Sequence, residues 1–220
     1  MNIKAAIFDM DGTLVDSLMC WDVLWSCFGK RFLNDKAFRP TAADDKKVRT
    51  LILADAMDLI HNNYGMGSSG KELLQMANLF FMDFYANHVE LKKGVREFLD
   101  DCKEHGVKMC IASATASELI DVAVKHCDIE AYFLKIFSCA VVGKGKEEPD
   151  VFLQACDFFC TKPEETWVFE DSLIAIKTAT KIGMPTVGVY DAYNLGQDEI
   201  KEISTKYIAD GESLLKLIER

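Results

Sequence analysis

Two aspartates separated by one residue, Asp9 and Asp11, directly follow a short apolar run at residues 3–8. The run is typical of a buried strand, and Gly12 allows the chain to turn sharply after it. Such a turn can aim one carboxylate at an electrophile and hold the other for proton transfer. An isolated Asp-x-Asp is more simply an acidic turn that caps a helix. The complete string over residues 9–17 instead favours a catalytic site.

Further polar groups follow later apolar runs, at Ser113, Lys146 and the pair Glu170–Asp171. Because ligands bind at the carboxyl ends of parallel strands, we expect these groups to converge with the first aspartates. A hydroxyl with nearby N–H groups can hold a phosphoryl oxygen, and a lysine can neutralise it. Paired carboxylates suit Mg²⁺. Each group alone is more simply a helix cap or a solvated side chain, but together they favour one shared site.

The composition excludes several classes of protein. The chain has 220 residues, with 25 Lys and Arg against 35 Asp and Glu, and a formal charge of −10. That acidity argues against a nucleic-acid partner, and no apolar run of membrane-spanning length occurs. The first catalytic motif begins too early to leave room for a signal peptide, and the eight cysteines form no Cys-x-x-Cys pair. We expect a cytoplasmic, monomeric protein with reduced thiols.

The elements that would position these groups follow an α/β rhythm. Strand-like apolar runs alternate with helical patterns, at residues 107–112, 136–142, 167–169 and 186–189. This alternation predicts a doubly wound parallel sheet. The segment 16–91 breaks the rhythm, with helical patterns near 17–30, 45–62 and 70–88. We therefore predict a core domain from residues 1–15 and 92–220, and an inserted all-helical domain from residues 16–91.

The motifs resemble those of the haloacid dehalogenase superfamily of phosphotransferases. Residues 9–17 match its first motif, Asp-x-Asp-Gly-Thr-x-x-Asp-Ser, at every defined position. Ser113, the Lys146 segment and Glu170-Asp171-Ser172 are similar to the later motifs, in the same order, although Glu147 replaces a common proline. The likeness is greatest to the subfamily of β-phosphoglucomutase and small-metabolite phosphatases, which has a Rossmann-like core and a helical cap after the first strand.

The resemblance implies a role for each core residue. Asp9 would be the nucleophile that forms an aspartyl-phosphate, and Asp11 the general acid and base. Superfamily members that cleave carbon–halogen or carbon–phosphorus bonds generally lack this second aspartate. Ser113, the backbone near Ala114, and Lys146 would hold the phosphoryl group. The Mg²⁺ ligands would be Asp9, the Asp11 carbonyl and Asp171, with Glu170 bound directly or through water.

The predicted inserted helices contain two weaker candidates for substrate contacts, Trp21 and Arg49, which belong to none of the motifs. Packing in the core of the helical bundle is the simpler explanation for Trp21. A solvated basic face explains Arg49 at least as well as a substrate contact does. β-Phosphoglucomutases carry a histidine where this chain has Trp21, and the segment 46–49 lacks the glycine of their cap motif. We therefore predict a phosphatase of a small phosphorylated metabolite, with a sugar-phosphate mutase as the alternative. A non-catalytic binding protein is disfavoured because no catalytic residue is missing.

Overall fold

A computed structural model describes residues 3–49 and 51–218 of the chain. The remaining five residues, which the predicted domains include, lie outside the described part. The chain divides into two compact units. The first runs up to Leu18 and resumes at Val89, and the second covers Met19–His88.

The first unit is built on a six-stranded, entirely parallel sheet. Its strands are β1 (Ala5–Phe8), β4 (Lys108–Ser113), β5 (Lys135–Ser138), β6 (Thr166–Glu170), β7 (Thr186–Val189) and β8 (Lys206–Ile208). They lie side by side in the order β5-β4-β1-β6-β7-β8. A separate antiparallel ribbon joins β2 (Val15–Asp16) to β3 (Glu90–Leu91). Strand β1 lies between β4 and β6, so Asp9 leaves the middle of the sheet.

Helices cover both faces of this sheet. They are α5 (Val95–Glu104), α6 (Ser117–His126), α7 (Cys139–Val142), α8 (Asp150–Phe159), α9 (Leu173–Lys181) and α10 (Gln197–Ile203). Neighbouring residues of β1 point to opposite faces. Ile7 packs in a buried cluster with α8 and α9, whereas Phe8 stacks on Phe169 and contacts Phe98 of α5. The predicted doubly wound α/β fold is confirmed.

Two details of the sheet differ from the prediction. The apolar run 136–142 is strand only to Ser138, and α7 follows it at once. Val141 is 79 % exposed, which a buried strand would not allow, and Gly143 ends the helix in the left-handed region. Strand β8 was not predicted, because three residues at the edge of the sheet carry little apolar signal.

The second unit contains helices joined by loops, and none of its described residues forms a strand. They are α1 (Cys20–Phe28), a π-helical turn at Gly29–Leu33, α2 (Ala42–Val48), α3 (Leu53–Tyr64) and α4 (Gly70–Asn87). Its interior contains Trp25, Phe28, Met57, Leu73 and Phe81. Leu73 and Phe81 place the aromatic face of α4 in this interior.

The predicted helix 45–62 is wrong, because the segment forms two helices. Arg49 ends α2, and Ile52 is extended at the start of α3. The structure also divides the units at 18/19 and 88/89, whereas the sequence placed the boundaries at 15/16 and 91/92. The ribbon of β2 and β3 accounts for the difference, since its pairing keeps both short strands in the first unit.

No helix in the described ranges is both long enough and apolar enough to cross a membrane. The eight cysteines are free thiols, of which Cys27 and Cys160 are exposed.

Candidate active site

The turn after β1 places Asp9 and Asp11. The Asp9 N–H donates to the Phe169 carbonyl at 2.9 Å, which continues the pairing of β1 with β6 for one more residue. The chain then folds back, so that the N–H groups of Leu14 and Val15 donate to the Met10 carbonyl at 2.9 and 3.0 Å. Asp9 therefore stands at the strand end, and Asp11 lies inside the turn.

Gly12 is required at this turn for two reasons. Its φ of +83° lies in the left-handed region that disfavours other residues. A Cβ atom there would also lie 2.1 Å from Asp171 Oδ2. The turn backbone thus packs directly against a carboxylate from the end of β6, which only a residue without a side chain allows.

Three buried carboxylates meet beside this turn. Asp9, Glu170 and Asp171 each offer an oxygen, and these oxygens lie within 4.8 Å of one another. Lys146 Nζ donates to Asp9 Oδ1 and, at 2.6 Å, to Glu170 Oε1. Within the described parts of the chain, Lys146 is the one cationic side chain that forms an ion pair with this cluster. Lys144 instead pairs with Asp150 at the surface.

Burial and mutual interaction shift the pKa values of the groups in this cluster. Burial raises the pKa of Asp9 to about 7, against the opposing pull of the Lys146 ammonium. Burial, followed by repulsion from Glu170 and Asp9, raises the pKa of Asp171 well above its usual range. Burial acts to lower the pKa of Lys146, but Asp9 and Glu170 outweigh it and the net direction is upward. The raised pKa values of the two acids therefore reflect chiefly their loss of hydration, with repulsion between like charges added to it, and the raised pKa of Lys146 reflects its attraction to the acids.

The donor set fits a hard divalent cation. Three carboxylates against one ammonium leave two negative charges when all four groups are ionised. Carboxylate oxygens in a small number are the ligands that Mg²⁺ takes together with water and phosphate. Glu170 Oε2 already accepts the backbone N–H groups of Asp171 and Ser172, at 2.7 and 2.8 Å. That arrangement makes Asp9 and Asp171 the better candidates for direct ligands.

Hydroxyl groups hold the carboxyl of Asp11. Ser17 Oγ donates to Asp11 Oδ1 and Thr115 Oγ1 donates to Asp11 Oδ2, both at 2.6 Å. Ser113 is buried at the end of β4, where its Oγ accepts the Thr115 N–H at 3.1 Å. Ala114 between them is exposed. The structure therefore brings the loop after β4 to Asp11.

Sequence reasoning gave no role to Ser17 or to three further residues of the site. Thr115 lies two residues beyond Ser113, and a second hydroxyl in the same loop was an available signal. Thr13 lies inside the first motif and donates to Asp171 Oδ1 at 2.8 Å. Asn194 donates to Asp171 Oδ2 from the loop after β7. The sequence carries no signal for Asn194, because only the folded loop brings it there.

Trp21 and Arg49 lie in the helical unit, where they form a cluster of their own. The Arg49 guanidinium stacks over the Trp21 ring at 5.9 Å, and its Nε pairs with Asp45 at 2.8 Å. Asp45 also accepts the Trp25 indole N–H at 2.9 Å. Trp25 is buried, in agreement with a packing role, whereas Trp21 is partly exposed. The substrate roles of Trp21 and Arg49 stay predictions.

The comparison with protein families identifies the group to which the chain belongs. A model described as haloacid dehalogenase-like hydrolase matches residues 6–189, a range that includes the carboxylate cluster, Asp11, Ser113 and Lys146 but ends before Asn194. The chain belongs to the haloacid dehalogenase-like hydrolase family. The resemblance seen in the sequence motifs is thereby confirmed.

Several known proteins are similar to this hydrolase. The phosphorylated carbohydrates phosphatase of Thermotoga maritima is 24% identical over 200 residues, covering 89% of both chains. Hexitol phosphatase B of Escherichia coli K12 is 27% identical over 181 residues, covering 81% of each. A β-phosphoglucomutase structure from Clostridium difficile shares the fold, with a TM-score of 0.69, 18% identity, and coverage of 94% and 91%. The phosphatase names agree with the predicted phosphoric monoester hydrolase.

Removal of the Lys146 ammonium should destabilise the protein far more than removal of the neighbouring Lys144. Lys146→Ala leaves two buried carboxylates without their cation, which typically costs about 3–5 kcal/mol. Urea unfolding without divalent ions measures the loss. Lys144→Ala is the matched control, because its surface ion pair is screened by water. Equal losses in the two variants would show that the cluster does not depend on Lys146.

Gly12→Ala should impair turnover, whereas Gly183→Ala should not. Both glycines have a φ of +83°, so each substitution adds backbone strain of about 1–2 kcal/mol. Only the Gly12 Cβ meets Asp171, because nothing lies within 4 Å of a Cβ at Gly183. We expect a lower melting temperature for Gly12→Ala than for Gly183→Ala, because the contact with Asp171 adds to the shared backbone strain, and a turnover roughly 100-fold lower. Unchanged turnover of a phosphomonoester in that variant would contradict the packing of the turn against Asp171.

Proposed function

We propose that this hydrolase is a Mg²⁺-dependent phosphatase, which hydrolyses a small phosphorylated metabolite through an aspartyl-phosphate on Asp9. The observation that carries the proposal is the grouping of Asp9 and Asp171 with Lys146 at the end of β1 and β6. The phosphatase names of the curated relatives support the same reaction class. A phosphorylated sugar or similar compound is the substrate class that those names favour.

The nucleophile is the Asp9 carboxylate. One of its oxygens forms a bond to phosphorus while the bond from phosphorus to the leaving oxygen breaks. A bound Mg²⁺ would be held by Asp9, Asp171 and the Asp11 carbonyl, with Glu170 directly or through water, and would neutralise phosphoryl charge. Lys146 fixes the orientation of Asp9 through its hydrogen bond and supplies a further positive charge.

Asp11 is the general acid of the first step and the general base of the second. In the first step its carboxyl group donates a proton to the leaving oxygen, which departs as an alcohol. In the second step the carboxylate takes a proton from water as the water oxygen attacks phosphorus, and the bond to Asp9 breaks. The hydroxyls of Ser17 and Thr115 can act as donors or acceptors, so they can hold Asp11 in both protonation states.

The phosphoryl oxygens need donors while they pass between these groups. We assign this role to the Ser113 hydroxyl, to the N–H groups near Ala114, and to Lys146. Ser113 suits the role because it is buried at the end of β4, in the loop that also supplies Thr115 to Asp11. The monomeric state and the cytoplasmic location stay predictions.

Phosphate release from a panel of phosphorylated metabolites tests the function. We expect release that requires Mg²⁺ and is lost in Asp9→Asn, because an amide oxygen is a far weaker nucleophile than a carboxylate. Asp16→Asn is the matched control, since Asp16 is exposed and belongs to the same segment. Full activity in Asp9→Asn would contradict the assignment of the nucleophile.

The same panel distinguishes the mutase alternative. A hexose 1-phosphate, primed with a hexose bisphosphate, should give free phosphate here. Formation of the 6-phosphate without phosphate release would instead support a sugar-phosphate mutase. No turnover of any compound, together with tight binding of one of them, would support a binding protein.

A further inference from the structure

We infer that Asn194 is a positioning residue for Asp171, and that it adapts this carboxylate to Mg²⁺ in preference to Ca²⁺. The inference rests on the proposed Mg²⁺ site. Its basis is a hydrogen bond from Asn194 Nδ2 to Asp171 Oδ2, made from a loop outside the family's sequence motifs. That loop covers residues 190–196 between β7 and α10 and is called the Asp191 loop below.

Asn194 and Thr13 together restrain both oxygens of Asp171. Thr13 Oγ1 donates to Oδ1 at 2.8 Å, while the Asn194 amide donates to Oδ2. Both donors are neutral, so they orient the carboxylate without cancelling its charge. This differs from Lys146, which orients Asp9 and Glu170 but also neutralises one charge.

The Asp191 loop is ordered by its own contacts, which do not involve the carboxylate cluster. Asp191 is buried and accepts several of the hydrogen bonds that order the loop. Its Oδ1 accepts the Tyr193 N–H at 2.9 Å, and its carbonyl accepts the Asn194 N–H at 3.2 Å. Gln197 Nε2 donates to the carbonyls of Asp191 and Asn194, at 3.1 and 3.2 Å. The backbone of Asn194 is therefore fixed before any metal binds.

A buried ion pair anchors the loop to the rest of the unit. Lys92 Nζ donates to Asp191 Oδ2 at 2.8 Å and to the Tyr190 carbonyl at 2.9 Å. Only 18 % of the Lys92 side chain and 4 % of the Asp191 side chain are exposed. Gln197 is held in turn by Tyr207, whose hydroxyl donates to Gln197 Oε1 at 2.9 Å. Asn194 thus reaches Asp171 from a rigid support.

This restraint has a consequence for the choice of metal. Each Asp171 oxygen already accepts one hydrogen bond, and this favours binding of a metal through one oxygen at a time. Mg²⁺ demands near-ideal octahedral geometry, whereas Ca²⁺ accepts flexible arrangements and often binds both oxygens of a carboxylate. Loss of the Asn194 donor should therefore weaken Mg²⁺ binding more than Ca²⁺ binding.

Metal binding to the full chain without substrate provides the test. Free Mn²⁺ is followed by electron paramagnetic resonance, and bound Mn²⁺ is displaced by Mg²⁺ or Ca²⁺. We expect Asn194→Ala to weaken Mg²⁺ binding about tenfold or more, as is typical when a residue that orients a metal ligand is lost. The ratio of Mg²⁺ to Ca²⁺ affinity should fall in the same variant. A role confined to loop stability would leave that ratio unchanged.

Two further variants make the result decisive. Leu195→Ala alters a neighbouring side chain that is 71 % exposed, and should bind both metals like the wild type. The side chain in Asn194→Ser is too short to reach Asp171, so this variant should weaken Mg²⁺ binding as Asn194→Ala does. It replaces Asn194→Ala in the test if the alanine variant folds poorly. Mg²⁺ affinities within twofold of the wild type in both Asn194 variants would overturn the role of Asn194. Absence of metal binding to the wild type would overturn the Mg²⁺ site itself.

Discussion

Buried negative charge in excess of buried positive charge is the constraint on which the site depends. Asp9, Glu170 and Asp171 converge at the carboxyl end of the sheet, and Lys146 alone pairs with them among the described residues. Such an arrangement is costly in a protein interior unless a cation completes it. The raised pKa values of Asp9 and Asp171 are the electrostatic signature of that cost. The same imbalance would prepare the site for a divalent cation and a phosphoryl group.

Much of the surrounding structure serves to hold these charges in place without cancelling them. Gly12 lets the first turn approach Asp171, and Thr13 and Asn194 restrain its two oxygens with neutral donors. Glu170 uses one oxygen for Lys146 and the other for two backbone N–H groups. The acids are therefore oriented in advance, which reduces the reorganisation needed when metal and substrate bind.

The sequence predicted those parts of the molecule that local patterns encode. Asp9 and Asp171 directly follow apolar strands, and a parallel sheet must bring such strand ends together. The chain segment 136–142 was mistaken for one strand, because an apolar run does not reveal where a short helix replaces it. Asn194 could not be predicted from the sequence. Its contact with Asp171 depends on a loop that is held by the ion pair of Lys92 with Asp191, two residues that are distant from each other in the sequence.

The response of thermal stability to Mg²⁺ tests the account most directly. Metal that binds only the folded state raises the melting temperature, so the wild type should gain stability as Mg²⁺ is added without substrate. Asp171→Asn removes one of the excess charges. That variant should melt no lower than the wild type without metal and should gain nothing from Mg²⁺. A wild type that ignores Mg²⁺, or an equal gain in Asp171→Asn, would contradict a carboxylate cluster built for a divalent cation.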